Sequence, residues 1–158
     1  MSDMLVALYR LPEQDKELDE LRQKGIVIRK PLAPEKQVVL DWVKSHFSQA
    51  WADECDVSFS RQPVACYIAI EHGKLIGFAC YEATCRNFFG PTGVGEQARG
   101  RGVGKALLLA CMHAMRAEGY AYAVIGSAGP VDFYARTLGA VPIEHSTPGI
   151  YEGMLRAD

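Results

Sequence analysis

The chain has 158 residues, 49% of them hydrophobic, and a formal charge of -2 at pH 7, a length and apolar content that suit one compact domain with a continuous core. Acidic and basic residues are mixed along it, which excludes the basic footprint of a nucleic-acid binder or of a protein held on an anionic membrane surface. Five cysteines with no C-x-x-C pair, and no histidine at zinc-ligand spacing, argue against a disulfide framework or a metal site and for reduced thiols in a cytoplasmic protein.

The apolar run from Met4 to Leu8 lacks the basic flank, length and cleavage site of a secretion signal, and no stretch approaches a membrane span. Residues 12–24 open on Pro12, are dense in charge and place Leu18 and Leu21 on one side. That predicts an exposed helix stopped at Gly25. The expectation is a single domain over 1–158, with 1–24 as an N-terminal extension and 25–155 as the core.

Gly25–Lys30 is short and β-branched, a strand, and the prolines at 31 and 34 lead into a helical stretch carrying Val38, Val39, Trp42, Val43, His46 and Phe47. Residues 64–71 and 75–82 are apolar runs joined by His72-Gly73-Lys74, the length and composition of a hairpin connection. Phe88–Val94 adds a third strand, made irregular or bulged by Gly90, Pro91 and Gly93. Val103, Leu107, Ala110, Cys111 and Ala114 then recur at helical spacing up to Gly119, followed by a strand at Tyr120–Ile125. A short helix over 130–138, a brief strand at 141–144 and a last strand at 150–155 complete the prediction.

Between the third strand and the long helix stands Arg99-Gly100-Arg101-Gly102-Val103-Gly104-Lys105. Backbone N–H groups at a helix start have no partner within the helix, and the helix dipole is positive there, so this is an anion site in waiting. Alternate glycines let a diphosphate approach those amides, and three basic side chains add charge. A P-loop needs glycine where Arg99 stands and Ser or Thr where Ala106 stands, and the dinucleotide fingerprint needs glycine at Lys105 or Leu107. Both fail on spacing.

Arg99-x-x-Gly102-x-Gly104, after a strand ending in Val94 and before an Ala/Leu-rich helix, resembles the signature of the GNAT superfamily of N-acetyltransferases, and the resemblance extends from about Gly25 to Leu155. It implies an α/β (α+β) fold with a central mixed, largely antiparallel twisted sheet flanked by helices. A splayed parallel strand pair would form the acetyl-CoA cleft. By position, Arg99, Gly100, Arg101, Gly102, Val103, Gly104 and Lys105 would hold the diphosphate of acetyl-CoA, the cosubstrate, and Val94 would offer its backbone to the acetyl or pantetheine arm. The pair Phe133-Tyr134 ahead of Leu138-Gly139-Ala140 matches a second feature of the family, which implies that Tyr134 protonates the departing thiolate. Three positions depart from that pattern: Ser127 stands for the usual asparagine, Pro130 for a small residue, and one extra residue separates Tyr134 from Gly139.

Direct transfer to an amine needs a base, because an alkyl amine with a pKa of about 10 is mostly protonated at neutrality. Glu82, at the end of a central strand, and Glu54, in Trp51-Ala52-Asp53-Glu54-Cys55, are the carboxylates placed to serve, with Glu82 preferred. Trp51, Tyr81 and Tyr151 are candidates to line an acceptor pocket. The reading is therefore an acetyltransferase acting on an amine, of a small molecule or of a protein or peptide. A CoA-binding sensor without catalysis is the alternative from another class. Partners expected are acetyl-CoA and the amine, with no nucleic acid and no membrane, and the resemblance implies pairing as a homodimer.

Overall fold

The computed structural model describes residues 1–157. Seven strands form one sheet: β1 (Met4–Ala7), β2 (Ile26–Arg29), β3 (Cys66–Glu71), β4 (Lys74–Tyr81), β5 (Phe88–Val94), β6 (Tyr122–Ile125) and β7 (Val141–Pro142). Their order across the sheet is β2-β3-β4-β5-β6-β1-β7, and every neighbouring pair is antiparallel except β5 and β6, which are parallel. Among the described residues five α-helices accompany it: α1 (Asp15–Gln23), α2 (Lys36–His46), α3 (Gln49–Phe59), α4 (Val103–Ala117) and α5 (Val131–Leu138).

Side chains alternate across each strand, so the sheet carries two apolar layers. On one face Ala69, Ala79 and Tyr81 pack with α4; on the other Cys66, Ile68, Phe78 and Cys80 pack with Val39 and Val43 of α2 and Ala52 and Cys55 of α3. Every residue from Ala106 to Met112 is buried. A helix that is apolar all round must be covered on all sides, and α4 is: the sheet lies beneath it, with α1 and the turn after β1 also in contact. Its approach to β4 is close, since a Cβ at Gly77 would lie 3.1 Å from Leu107.

The N-terminal segment is a correction to the sequence-based expectation. Rather than an appendage, residues 4–7 form a strand inside the sheet, paired with β6 on one side and β7 on the other. Met4, Val6 and Leu8 are completely buried. The last predicted strand, Ile150–Leu155, is a second correction: the chain makes a single turn at Gly149–Tyr151 and then runs on without regular structure. The open edge of β6 is already taken by β1, and Gly153, at φ 71°, interrupts the extended path.

Strand β5 bends where its sequence says it must. Ala79 faces Thr92 and Tyr81 faces Phe89, so the two residues Gly90 and Pro91 oppose the single Cys80, the arrangement of a β-bulge. Further along, Gly93 lies under the Phe47 ring, with which an added Cβ would clash. Phe47 is itself held by Trp42, Trp51 and Phe78, with ring centroids 5.0 to 5.8 Å away. Gly93→Ala is accordingly expected to destabilise the protein by about 1–3 kcal/mol, the usual cost of overpacking. Adding Phe47→Leu should recover part of that loss, and denaturant unfolding of the single and double variants measures the coupling.

Candidate active site

The parallel pairing of β5 and β6 extends only over Phe88↔Val124 and Phe89↔Ile125. At that point β5 bulges through Gly90-Pro91, and the chain beyond β6 turns away through Gly126 and Ser127, whose φ is 46°. The strands part, and a cavity of about 290 Å³ opens between them. Phe89 to Thr92 form one wall and Ile125 to Pro130 the other, with Tyr134 of α5, Trp51 of α3 and Met1 completing the lining.

At the outer end of β5 the glycine-rich turn delivers the chain into α4. Gly100 (φ 77°) and Gly102 (φ 84°) both adopt left-handed conformations, and Gly102 is the residue immediately before the helix. The N–H of Ala106 is the first to return to the turn, at 3.1 Å from the Gly102 carbonyl. The N–H groups of Val103, Gly104 and Lys105 therefore have no acceptor within the helix. A Cβ on Gly104 would lie 3.6 Å from Val94, so the helix start and the end of β5 adjoin.

Val94 presents its peptide to the gap. Gly95 N–H bonds the Ile76 carbonyl at 2.8 Å, and bonded and non-bonded pairs alternate along an antiparallel ladder. The Gly77–Val94 pair is thus a non-bonded one, with the Val94 N–H and C=O directed away from β4. The carbonyl accepts from Arg99 Nε at 3.1 Å, which leaves the N–H.

The basic side chains of the turn are less available than their number implies. Arg101 is engaged by both carboxylate oxygens of Glu71, and Lys105 lies 3.2 Å from Glu17. Arg99 alone of the three has no carboxylate partner among the described residues. The amides, more than the side-chain charges, make this end of the site attractive to an anion.

Tyr134 is 5% exposed, and burial pushes its phenol up to about 12. Its ring meets Phe89 edge-on, with centroids 6.4 Å apart, and leans on Phe133 at 5.4 Å. Ser127, one of the positions that departs from the family pattern, donates its N–H to Asp3 Oδ1 at 2.7 Å. The N-terminal segment so braces the loop that forms the cavity wall, a role invisible in the sequence because residues 3 and 127 are far apart in the chain.

Glu82 is not brought to the cavity. Its Oε1 accepts from the Asn87 N–H and its Oε2 from the Tyr120 hydroxyl at 3.0 Å, and it faces a separate hollow with Arg61, Arg86 and Glu118. The preferred carboxylate thus ties the loop between β4 and β5 to the start of β6. Tyr81 is likewise withdrawn, completely buried on the α4 side with its hydroxyl accepting from Lys30 at 3.0 Å.

Glu54, by contrast, lies one turn along α3 from Trp51, and its Oε1 accepts from Thr84 Oγ1 at 2.7 Å. The Tyr151 hydroxyl lies on Gly126 of the cavity wall, 2.8 Å from where a Cβ would stand. Burial first, then the charges of Glu54 and Asp3, push the Tyr151 phenol up. Trp51 lines the cavity itself, Tyr151 lies against Gly126 of its wall, and Glu54 is near enough to Tyr151 for its charge to act on that phenol, whereas Glu82 and Tyr81 are turned elsewhere.

No helix among the described residues is long and apolar enough to cross a membrane. No curated protein matches the chain in sequence. Among solved structures it is similar to a GCN5-related N-acetyltransferase from Sphaerobacter thermophilus (TM-score 0.70, 18% identity), the likeness covering 90% of this chain and 48% of that one. It is also similar to a GCN5-related glucosamine N-acetyltransferase region in a fungal multi-domain GH3 β-N-acetylglucosaminidase (TM-score 0.73, 14% identity), over 90% of this chain and 19% of that one. A GNAT-family acetyltransferase from Brucella melitensis, solved with acetyl-CoA, matches with a TM-score of 0.56 at 17% identity over 70% of this chain and 80% of that one. The chain thus spans less than half the length of the first two. The profile of the Acetyltransferase (GNAT) family matches residues 36–140, a range that contains the parted strands, the glycine-rich turn and Tyr134. With the mixed sheet and that match over well over half of its length, the chain belongs to the GNAT family of acetyltransferases.

Proposed function

We propose that the protein transfers the acetyl group of acetyl-CoA directly to a primary amine of a small molecule. The observation that carries this reading is the cavity at the parting of β5 and β6, set between an anion-binding helix start and a buried tyrosine. The amides of Val103, Gly104 and Lys105, with Arg99, hold the diphosphate. The Val94 N–H donates to the thioester carbonyl oxygen and stabilises the negative charge that develops there.

Glu54 accepts the amine proton, directly or through a water, with Thr84 orienting the carboxylate. The neutral amine nitrogen then attacks the carbonyl carbon, the carbon–sulfur bond breaks, and Tyr134 donates to the leaving sulfur. The small, mostly apolar cavity, half open to solvent, and the aromatic face of Trp51 favour a slender alkyl or aromatic amine over an extended peptide.

Thiol release from acetyl-CoA in the presence of a panel of small amines tests this reading. Wild-type protein should release thiol only when an amine is present. Glu54→Gln should lower the rate by about 100-fold near neutrality, the contribution typical of a positioned base. Glu82→Gln should lower thermal stability and leave the rate per folded molecule unchanged. Tight CoA binding with no turnover on any amine would instead identify a CoA-binding module without catalysis.

A further inference from the structure

Three of the five cysteines, distant in sequence, meet inside the molecule. Cys55 comes from α3, Cys66 from the start of β3 and Cys80 from the end of β4, and their sulfur atoms all lie within 4.8 Å of one another. The convergence has a structural origin. Cys66 and Cys80 face each other directly in the β3–β4 ladder, and the bond from Tyr81 N–H to the Ala65 carbonyl, 3.0 Å, marks the adjacent pair as the hydrogen-bonded one. Cys66 and Cys80 therefore occupy a non-bonded pair, where facing side chains stand closest, and α3 lays Cys55 over them.

All three are completely buried, walled by Val43, Ala52, Ile68 and Phe78. No carboxylate or imidazole joins the group among the described residues. Neither acetyl transfer nor CoA binding has any use for three thiols on the far side of the sheet from α4.

We propose that Cys55, Cys66 and Cys80 form a three-sulfur site for one monovalent copper ion. With metal–sulfur bonds of about 2.3 Å, a planar three-coordinate ion sets its sulfurs ~4.0 Å apart, within the separation found here. Thiolate ligands select soft ions, copper(I) foremost among those that accept so few ligands. Zinc in a structural site takes four ligands in a tetrahedron, and calcium and magnesium require oxygen; the trio supplies neither. Each thiol that ligates gives up its proton, which passes to the buffer as the ion enters, and copper remains monovalent throughout, so no electron is exchanged. Because Cys55 follows Trp51 by one turn of α3, an occupied site would pin to the sheet the helix that bears one wall of the cavity.

The test uses reduced full-length protein under anaerobic conditions, titrated with copper(I) in competition with a coloured copper(I) chelator. One equivalent should be withheld from the chelator, with sulfur-to-copper charge-transfer absorption in the ultraviolet. X-ray absorption of that sample should find sulfur neighbours only. Cys80→Ser, checked for folding by circular dichroism, should lose at least tenfold in copper affinity while binding CoA normally, and Cys85→Ser should match the wild type. If Cys80→Ser does not fold, the wild-type absorption spectrum decides. The site is refuted if the chelator removes all the copper, if nitrogen or oxygen neighbours dominate, or if folded Cys80→Ser withholds as much copper as the wild type. It is refuted as well if the sulfurs are found paired in a disulfide that blocks uptake. None of these outcomes bears on whether the protein acetylates amines.

Discussion

Gly102→Glu is expected to weaken acetyl-CoA binding by at least ~100-fold, about 2.7 kcal/mol, while the protein stays folded. Gly102 sits at φ 84° just before α4, and a Cβ there would meet nothing within 4 Å. The new side chain therefore enters open space in front of the helix start rather than the core. Its carboxylate is an anion next to the amides of Val103 to Lys105, so it competes for the donors a diphosphate would use and repels the diphosphate as well. Backbone strain adds about 1–2 kcal/mol against any L-residue at this position. Gly102→Ala carries the strain without the charge and serves as the control, expected to lower the melting temperature with much smaller loss of binding. Calorimetric titration with CoA on both variants separates the two effects. Wild-type affinity in Gly102→Glu would show that the diphosphate does not sit at this turn.

Tyr134→Phe should reduce kcat by about 100-fold, within the range of a lost general acid, with KM for acetyl-CoA unchanged. The ring packs against Phe89 and Phe133, and phenylalanine preserves those contacts, so the change isolates the hydroxyl. A free phenol titrates near pH 10, whereas burial holds Tyr134 up to about 12. The group remains neutral, and able to donate, across the whole assay range. An alkaline fall in the wild-type rate below pH 11 would therefore have another origin. The same shift has a consequence for stability. A folded-state pKa above the unfolded one contributes stability that is complete below pH 10 and is lost as pH rises through 12. Tyr134→Phe removes that loss, so the variant should gain on the wild type above pH 10, which urea unfolding at pH 8 and at pH 11 compares. Equal kcat values in the two proteins would leave Tyr134 a packing residue only.

Much of the architecture was legible because its signals are contiguous. The glycine-rich turn, the apolar periodicity of α4 and the Gly90-Pro91 irregularity each lie within a few residues of chain. Left-handed backbone, helix start and bulge follow from the residue types on the spot. The glycine-rich turn was legible as a candidate anion site for the same reason, whereas Tyr134 was singled out only through the family resemblance.

The misreadings share another cause. Met4–Ala7 is a short apolar run whose partner, β6, lies more than a hundred residues away, and nothing local distinguishes a central strand from an appendage. Ile150–Leu155 had strand-like composition, but β1 already holds the edge of β6 and Gly153, at φ 71°, interrupts the extended path. Glu82 was favoured for its place at a strand end, yet the left-handed turn at that residue, φ 59°, carries it to Asn87 and Tyr120.

Glycine placement and hydrophobic period, read from residues a few positions apart, were thus enough for the turn, the long helix and the bulge, and the motif they form carried the family resemblance. Where Glu82 and Glu54 come to lie, which strand fills the gap beside β6, and which cysteines meet were decided only when strands paired in register and helices docked. Those outcomes depend on contacts between residues tens of positions apart, whose loop-closing cost is met by burial of the whole core, and no local pattern encodes them.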